Sequence, residues 1–284
     1  MSAVHDQPAA SRATPNRDDP QYVTALVRGL EILSAFREGG VLLGNQELAR
    51  LTGLPRSTVS RLTHTLTAFG YLLYDDATRK YRAGVGLLGL GASIQRNLRV
   101  QNCARPFMQS LTRELGVTVA IGSRDRLGIV FLEIARPADT PRVVNTDAGT
   151  VLPLHNTAIG LAYLVGATLA ERTSVLEELQ LRHGASWPEV RAIIERAHAD
   201  YHRRGFVVSL RSWSRAVNAV GVPLLLPGGQ GVYAFNCASP SQDAPRKRLL
   251  EELGPRLVET VARIRVELER ASPTMLVEPS VYQP

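Results

Sequence analysis

Residues 44–82 read GNQELARLTGLPRSTVSRLTHTLTAFGYLLYDDATRKYR: two short helix patterns, a tight turn and a basic hairpin in that order. Asn45 has the side chain of a helix N-cap, able to accept from an unpaired early N–H. Leu48, Ala49 and Leu51 put apolar groups on one helical face, and Gly53 can take the positive φ that ends such a helix. Leu54 seats the turn, and Pro55 suits a first helical position because it has no N–H to satisfy. The second helix strings Val59, Leu62, Leu66 and Phe69 along one stripe, which predicts their burial. Arg56, Ser57, Ser60, Arg61 and His64, with Thr58 beside them, are then left outward: short donors, forked cations and an imidazole. Such a surface suits base edges and phosphates in a major groove.

After Gly70, Tyr71–Tyr74 reads as a strand, Asp75–Thr78 as a turn and Arg79–Arg82 as the returning strand. A hairpin tip with Arg79 and Lys80 is what a winged helix-turn-helix lays on the neighbouring phosphates. An ordinary helical hairpin with a solvated basic loop is the blander reading of the same pattern.

A chain of 284 residues leaves room for two domains with good cores. The hydrophobic content of 44% with 21% charged residues is that of a soluble globular chain. No apolar run approaches the ~20 residues that span a bilayer, so no membrane partner is expected. Residues 1–20 are polar and Pro-rich without an apolar core, and read as a disordered tail. Cys103 and Cys237 stand far apart, which argues against a disulfide framework and for a reducing cytoplasm. The net charge of +7 is uneven: residues 21–100 carry ten Lys/Arg against five Asp/Glu, a concentration on the proposed DNA reader.

The expected organisation is a tail over 1–20, a winged helix-turn-helix over 21–83, a linker helix over 84–101, an effector-binding domain over 102–271 and a tail over 272–284. Residues 22–36 place Val23, Leu26, Leu30 and Leu33 on a stripe expected to pack under the reader, and Gly39-Gly40 break that helix. Residues 84–99 read as a Gly-containing linker helix with Leu87, Leu88, Leu90 and Ile94, and 104–115 as a helix opened near Pro106. Val117–Ser123 and Gly128–Ile134 form an expected hairpin around Arg124-Asp125-Arg126. Beyond it come a short strand at Arg142–Asn145, helices at Thr157–Val165 and Pro188–Arg204, and strands at Phe206–Ser209, Val217–Leu226 and Gly231–Cys237. A hairpin turn at Pro227–Gln230 joins the last two strands, and a helix over 246–270 closes the chain. Hairpin-paired strands with helices against them predict an α+β domain of GAF or PAS type.

Catalytic patterns are scarce. His198 and His202 lie four apart on a helix, a metal-capable spacing, but the intervening Glu of a zinc-protease helix is missing and charged neighbours mark a solvated face. No nucleophile elbow, Walker loop or Gly-rich dinucleotide turn occurs. Neither a metal nor a cofactor is expected. An enzyme acting on a small carboxylate with an appended DNA-binding domain is the alternative function.

The chain resembles the IclR family of bacterial transcriptional regulators from about residue 22 to 270. The matching features are Val27-Arg28-Gly29-Leu30 with Ile32-Leu33, Glu47-Leu48-Ala49 before Thr52-Gly53-Leu54-Pro55, Arg61-Leu62 with Leu66, and Gly70-Tyr71. Further on stand Tyr81-Arg82-Ala83-Gly84, Gly149 through Ala158 with Gly160, Arg204-Gly205-Phe206, Val222-Pro223-Leu224 and Ala234-Phe235-Asn236-Cys237. The chain departs from the family's usual pattern in Leu161, where a Lys is common, and in Ser209–Trp213, where acids are common.

The resemblance implies a homodimer on a palindromic operator in double-stranded DNA, pairing of dimers into dimers of dimers, and control by a small effector. It implies effector contacts at Thr157, Ala158, Ile159, Ser209, Val217, Ala219, Asn236 and Ala238. The helix starting at Thr157 offers free N–H groups and a favourable dipole to an anion. Arg211, standing where the family has an acid, favours an organic acid, aromatic included, over a cation. For Asn236, satisfying a backbone group is as good a reading as touching a ligand. Cys237 reads as a buried small hydrophobe and His155 as a brace for the loop at Pro153.

Overall fold

A computed structural model describes residues 21–38, 42–97, 99–138, 146–226 and 231–270. The expected tails, the Gly39-Gly40 break, the strand at 142–145 and the turn at 227–230 lie outside them. The described chain falls into two compact units that divide between residues 98 and 99.

The first unit has helices α1 (Thr24–Glu38), α2 (Asn45–Thr52), α3 (Arg56–Ala68) and α4 (Val85–Asn97), and strands β1 (Leu72–Asp75) and β2 (Lys80–Ala83). Its core is Ile32, Leu43, Leu48, Val59 and Leu72, with Leu33, Phe36, Leu54, Leu62, Leu66 and Tyr81 packed around them. α2 ends as the sequence indicates, at Gly53 with φ 71° and its N–H on the Ala49 carbonyl. The antiparallel wing pairs Leu72 with Ala83 and Asp75 with Lys80, and Leu43 bridges to Tyr81 as a third strand position. Asp75 ties the wing turn by accepting from the Ala77 N–H (3.0 Å) and the Thr78 hydroxyl (2.9 Å).

Four expectations are corrected here. Asn45 is not the cap of α2: Gly44 holds that position, and Glu47 accepts from its N–H at 2.6 Å. Asn45 Oδ1 instead lies 3.4 Å from the Thr63 hydroxyl of α3. Leu51 is 42% exposed. Phe69 is 74% exposed, because α3 has ended at Ala68; Thr63, at 0%, takes the interior place between Val59 and Leu66. The expected stripe of the first helix is only partly covered: Leu33 packs on the core beside the fully buried Ile32, while Val23, Leu26 and Leu30 are at 53–66% exposure.

The second unit is a six-stranded antiparallel sheet in the order β5-β4-β3-β8-β7-β6. The strands are β3 (Thr118–Asp125), β4 (Gly128–Ala135), β5 (Val151–Pro153), β6 (Val207–Leu210), β7 (Val217–Leu225) and β8 (Val232–Pro240). The helices are α5 (Arg99–Leu115), α6 (Ala158–Gly166), α7 (Leu169–His183), α8 (Trp187–Arg204), the short α9 (Arg246–Arg248) and α10 (Gly254–Arg270), with a π-turn over Leu249–Leu253. Strand alternation divides the interior in two. Val119, Ile121, Val220, Phe235 and Cys237 join α5 and α10 on one face. Ala120, Phe131 and Ala234 join α6, α7 and α8 on the other.

α5 begins at Arg99 and carries Pro106 within it, not at its opening as expected. A proline inside a helix removes one bond and costs about 3 kcal/mol. The stripe Val100, Ala104, Met108, Leu111 and Leu115 is continuous and buried, and at about 1.5–3 kcal/mol for each large side chain its burial outweighs that loss. α7 and β5 were not anticipated. α7 is largely polar, with only Val175 and Leu179 buried, yet Thr168 followed by Glu171 carries a capping signal: the Thr168 hydroxyl accepts from the Glu171 N–H at 3.3 Å.

Candidate functional site

In the first unit, Val59 and Thr63 are the buried residues of α3, which fixes its rotation about its axis. Arg56, Ser57, Ser60, Arg61 and His64 are all exposed, and Thr58 is half-buried at the edge of that face. The expected outward row is therefore assembled, with a hydroxyl in the core where an aliphatic stripe was anticipated. The Thr63 hydroxyl finds the Val59 carbonyl at 3.0 Å, so burying it leaves no orphan.

Arg79 sits exposed at the wing tip with φ 55°, a left-handed turn residue. Lys80 is not a free cation: its Nζ is 3.0 Å from Glu47 Oε1. Glu47 thus ties the wing to the start of α2, and the Gly44 N–H first, then Lys80, holds its carboxyl below the usual carboxylate range. An open groove gathers Asn45, Gln46, Arg50, Arg56, Thr78, Arg79 and Lys80. Arg50 and Gln46 were absent from the sequence reading, since nothing local shows that the last turn of α2 borders the wing.

In the second unit, Thr157, Ala158, Ile159, Ser209, Val217, Ala219, Asn236 and Ala238 all line one cavity of about 110 Å³. Register explains the convergence. Ala120 pairs with Asn236 and Thr118 with Ala238 on one side of β8, and Ala219 with Ala238 and Gly221 with Asn236 on the other. Gly221 lets α6 close over the sheet: a Cβ there would lie 2.3 Å from the Ala158 carbonyl oxygen. Gly160 does the same against Leu154, whose oxygen would be 2.2 Å from an added Cβ.

Thr157 caps α6, accepting from the Gly160 N–H at 3.1 Å and donating to the Pro153 carbonyl at 2.7 Å. The first N–H groups of the helix precede any intrahelical acceptor. Asn236 is 7% exposed, and its Oδ1 is buried without a hydrogen-bond partner. Phe131, Ile134, Arg136, Thr146 and Trp213 also line the cavity and were missed, because their strand and loops meet the rest only through the sheet. Among the described lining residues Arg136 is the one charged side chain, and no carboxylate faces in.

Arg211, the residue expected to set the ligand's charge, does not line the cavity. It lies exposed at φ 55°, its N–H donating to Asn218 Oδ1 at 3.0 Å. Cys237 faces the α5–α10 core, and burial pushes its thiol up. His155 packs edge-on to His183 at 4.4 Å, and burial lowers its pKa. His198 lies 3.0 Å from Arg172 through its Nε2; burial first, then that guanidinium, lowers its pKa. Among the described residues no three His, Cys, Asp or Glu gather into a metal-holding group. Likewise no described helix is long and apolar enough to cross a membrane.

Comparison with known proteins agrees with this two-unit arrangement. The IclR helix-turn-helix domain matches residues 25–76, and the bacterial transcriptional regulator IclR C-terminal domain matches residues 92–266. The HTH-type transcriptional regulator TsaQ1/TsaQ2 of Comamonas testosteroni is 46% identical over 261 residues, covering 92% of this chain and 94% of that protein. The Pca regulon regulatory protein of Pseudomonas putida is 26% identical, over 88% of this chain and 85% of its own. The crystal structure of an IclR family regulator from Brucella abortus superposes with a TM-score of 0.80 at 40% identity, over 90% of this chain and 95% of that one. At 22% identity and a TM-score of 0.67, an IclR homolog from Microbacterium hydrocarbonoxydans, solved with 4-hydroxybenzoate, shares the fold over 87% of this chain and all of its own. The relatives are named regulators, which sets aside the alternative of an enzyme with an appended reader. With both domain models matched in order and a near-full-length relative this similar, the chain belongs to the IclR family of DNA-binding transcriptional regulators.

Proposed function

We propose that this regulator controls a catabolic operon from the cytoplasm by binding a palindromic operator as a homodimer, and that a small organic acid in the second unit's cavity alters that binding. Arg56, Ser57, Thr58, Ser60, Arg61 and His64 are the residues assigned to the major groove, and Arg79 and Lys80 to phosphates. Thr157, Ala158, Ile159, Ser209, Val217, Ala219, Asn236 and Ala238 are assigned to the effector. The observation that carries the reading is the cavity itself: an apolar-walled space with a helix start and no inward carboxylate among the described lining residues. The fold relative solved with 4-hydroxybenzoate supports an acid of aromatic type.

Pairing of copies is supported by the apolar groups that the first unit leaves outward, Val23 just before α1, Leu26 and Leu30 on it, and Val85, Leu88 and Leu90 on α4, each more than half exposed. Two-fold pairing of readers demands a palindromic site, and dimers of dimers extend the same logic. The effector acts by favouring one spacing of the two readers, through α4, over another, which requires different affinities for the two arrangements.

Operator binding followed by fluorescence anisotropy with and without benzoate or 4-hydroxybenzoate tests the reading. A change in operator affinity of fivefold or more is expected, on the scale of ordinary allosteric coupling. Arg56→Ala or Arg61→Ala is expected to cost about 1–3 kcal/mol on the operator if the residue reads a base, against less on random DNA. Equal loss on both sequences would reduce the residue to a phosphate contact, and operator affinity indifferent to every acid would remove the effector role.

A further inference from the structure

The start of α6 offers an anion its N–H groups, and the structure adds one cation, Arg136, inside the same cavity. Arg136 follows β4, whose Ile134 pairs with Ala120 and so lies two strands from Asn236. Strand spacing of about 4.8 Å and a rise of about 3.3 Å per residue put the Cα atoms of Arg136 and Asn236 about 12 Å apart in the cavity wall. Phe131 and Trp213 provide aromatic wall among the lining residues.

Arg136 is held loosely. Its Nη1 lies 3.2 Å from Asp147, a side chain that is 60% exposed, and its Nη2 lies 3.5 Å from the Thr146 hydroxyl. A hydrated carboxylate is a weak competitor for a guanidinium when a desolvated anion can offer two parallel acceptors. At the α6 start, the first N–H groups form the other anion-accepting pole, and the nearby Asn236 Oδ1, buried without a partner, is an acceptor for a donor. The cavity, about 110 Å³ and partly open, is somewhat smaller than the roughly 150 Å³ cavity that accepts benzene, which favours one ring over two fused rings.

We infer that Arg136 is a second anion anchor, and that the effector class is a single-ring molecule with an anionic group at each end, one at the start of α6 and one at Arg136. This rests on the proposal that the cavity is the effector site. It assigns a specificity-determining role to a residue that neither the sequence pattern nor the family resemblance singled out.

The test is calorimetric titration of the full-length protein with benzoate and with benzene-1,4-dicarboxylate, repeated for Arg136→Gln and Arg136→Lys. Wild type is expected to bind the dianion at least about tenfold more tightly than the monoanion. R136Q is expected to bring the two within about twofold by weakening the dianion far more than benzoate, and R136K to keep part of the preference as a point charge without the fork. Benzoate binding with no preference for the dianion, or a preference that survives R136Q, overturns the Arg136 assignment and leaves the acid-binding cavity standing. Equal weakening of both ligands in R136Q overturns the two-ended class, since Arg136 would then hold the sole anion. If wild type binds neither compound, the acid-binding reading of the cavity fails and this inference with it.

Discussion

Replacing Glu171 by alanine tests how the helices behind the cavity are held. Glu171, in the first turn of α7, lies 3.1 Å from Arg124 Nη2 and accepts from the Tyr163 hydroxyl of α6. Arg124 is the demanding partner, its side chain 3% exposed against 25% for Glu171. Breaking a fully buried pair by removing one partner costs about 3–5 kcal/mol, because the remaining charge stays desolvated. Partial access of water at Glu171, together with the Arg126 carbonyl 3.3 Å from Arg124 Nη1, lowers the expectation to about 2–3 kcal/mol. For a unit of this size each kcal/mol moves Tm by roughly 2–4 °C, so Glu171→Ala should lower Tm by roughly 4–12 °C in scanning calorimetry. The double variant Arg124→Met/Glu171→Leu should recover most of the loss, since apolar residues of similar volume replace a buried pair at little cost. A Glu171→Ala transition within 1 °C of wild type, or a double variant worse than the single, would refute the claim that this pair anchors α7 to the sheet.

Alkaline pH probes the same cluster. Burial and then the Glu171 bond push the Tyr163 hydroxyl up to about 12 from its ordinary 10.0. A raised pKa means the folded state holds the proton, so the contribution is complete below pH 10 and is lost as pH rises toward 12. Urea midpoints of wild type and Tyr163→Phe should therefore converge across that window, and parallel curves would contradict it. Gly160→Ala should cost about 3 kcal/mol by urea titration, because its Cβ would meet the Leu154 backbone oxygen at 2.2 Å, an obstacle no rotamer relieves. Leu26→Glu with Leu30→Glu should shift the protein toward monomer in light scattering and weaken operator binding, while leaving effector affinity intact; an unchanged mass would exclude that α1 face from pairing.

What could be read from the sequence depended on how local the governing signal was. The turn at Gly53 and the wing hairpin follow from residues a few positions apart, so the spacing of apolar side chains and the chemistry of single turns were enough. The same reasoning misjudged Asn45, because Glu47 reaches back to the Gly44 N–H and supplies the cap one residue earlier. Phe69 was misjudged because periodicity continues in a string of letters after the helix itself has stopped at Ala68. In the second unit the eight lining residues came from family resemblance, and the strands that bear them were legible from their alternation. α7 escaped because a helix with two buried residues carries almost no amphipathic signal, although its Thr168–Glu171 cap was there to be seen.

Sequence alone determined the reader's layout and its outward cations, since helix and hairpin periodicities act over a few residues and need no distant partner. Only the tertiary structure decided which side of α1 is covered, that Lys80 is engaged by Glu47, and that Arg136 in place of Arg211 supplies the cavity's charge. These outcomes require segments far apart in the chain to meet. Gly116 and Pro240 border one cavity because β3 and β8 are neighbours in the sheet, and no local pattern encodes which strand will lie beside which.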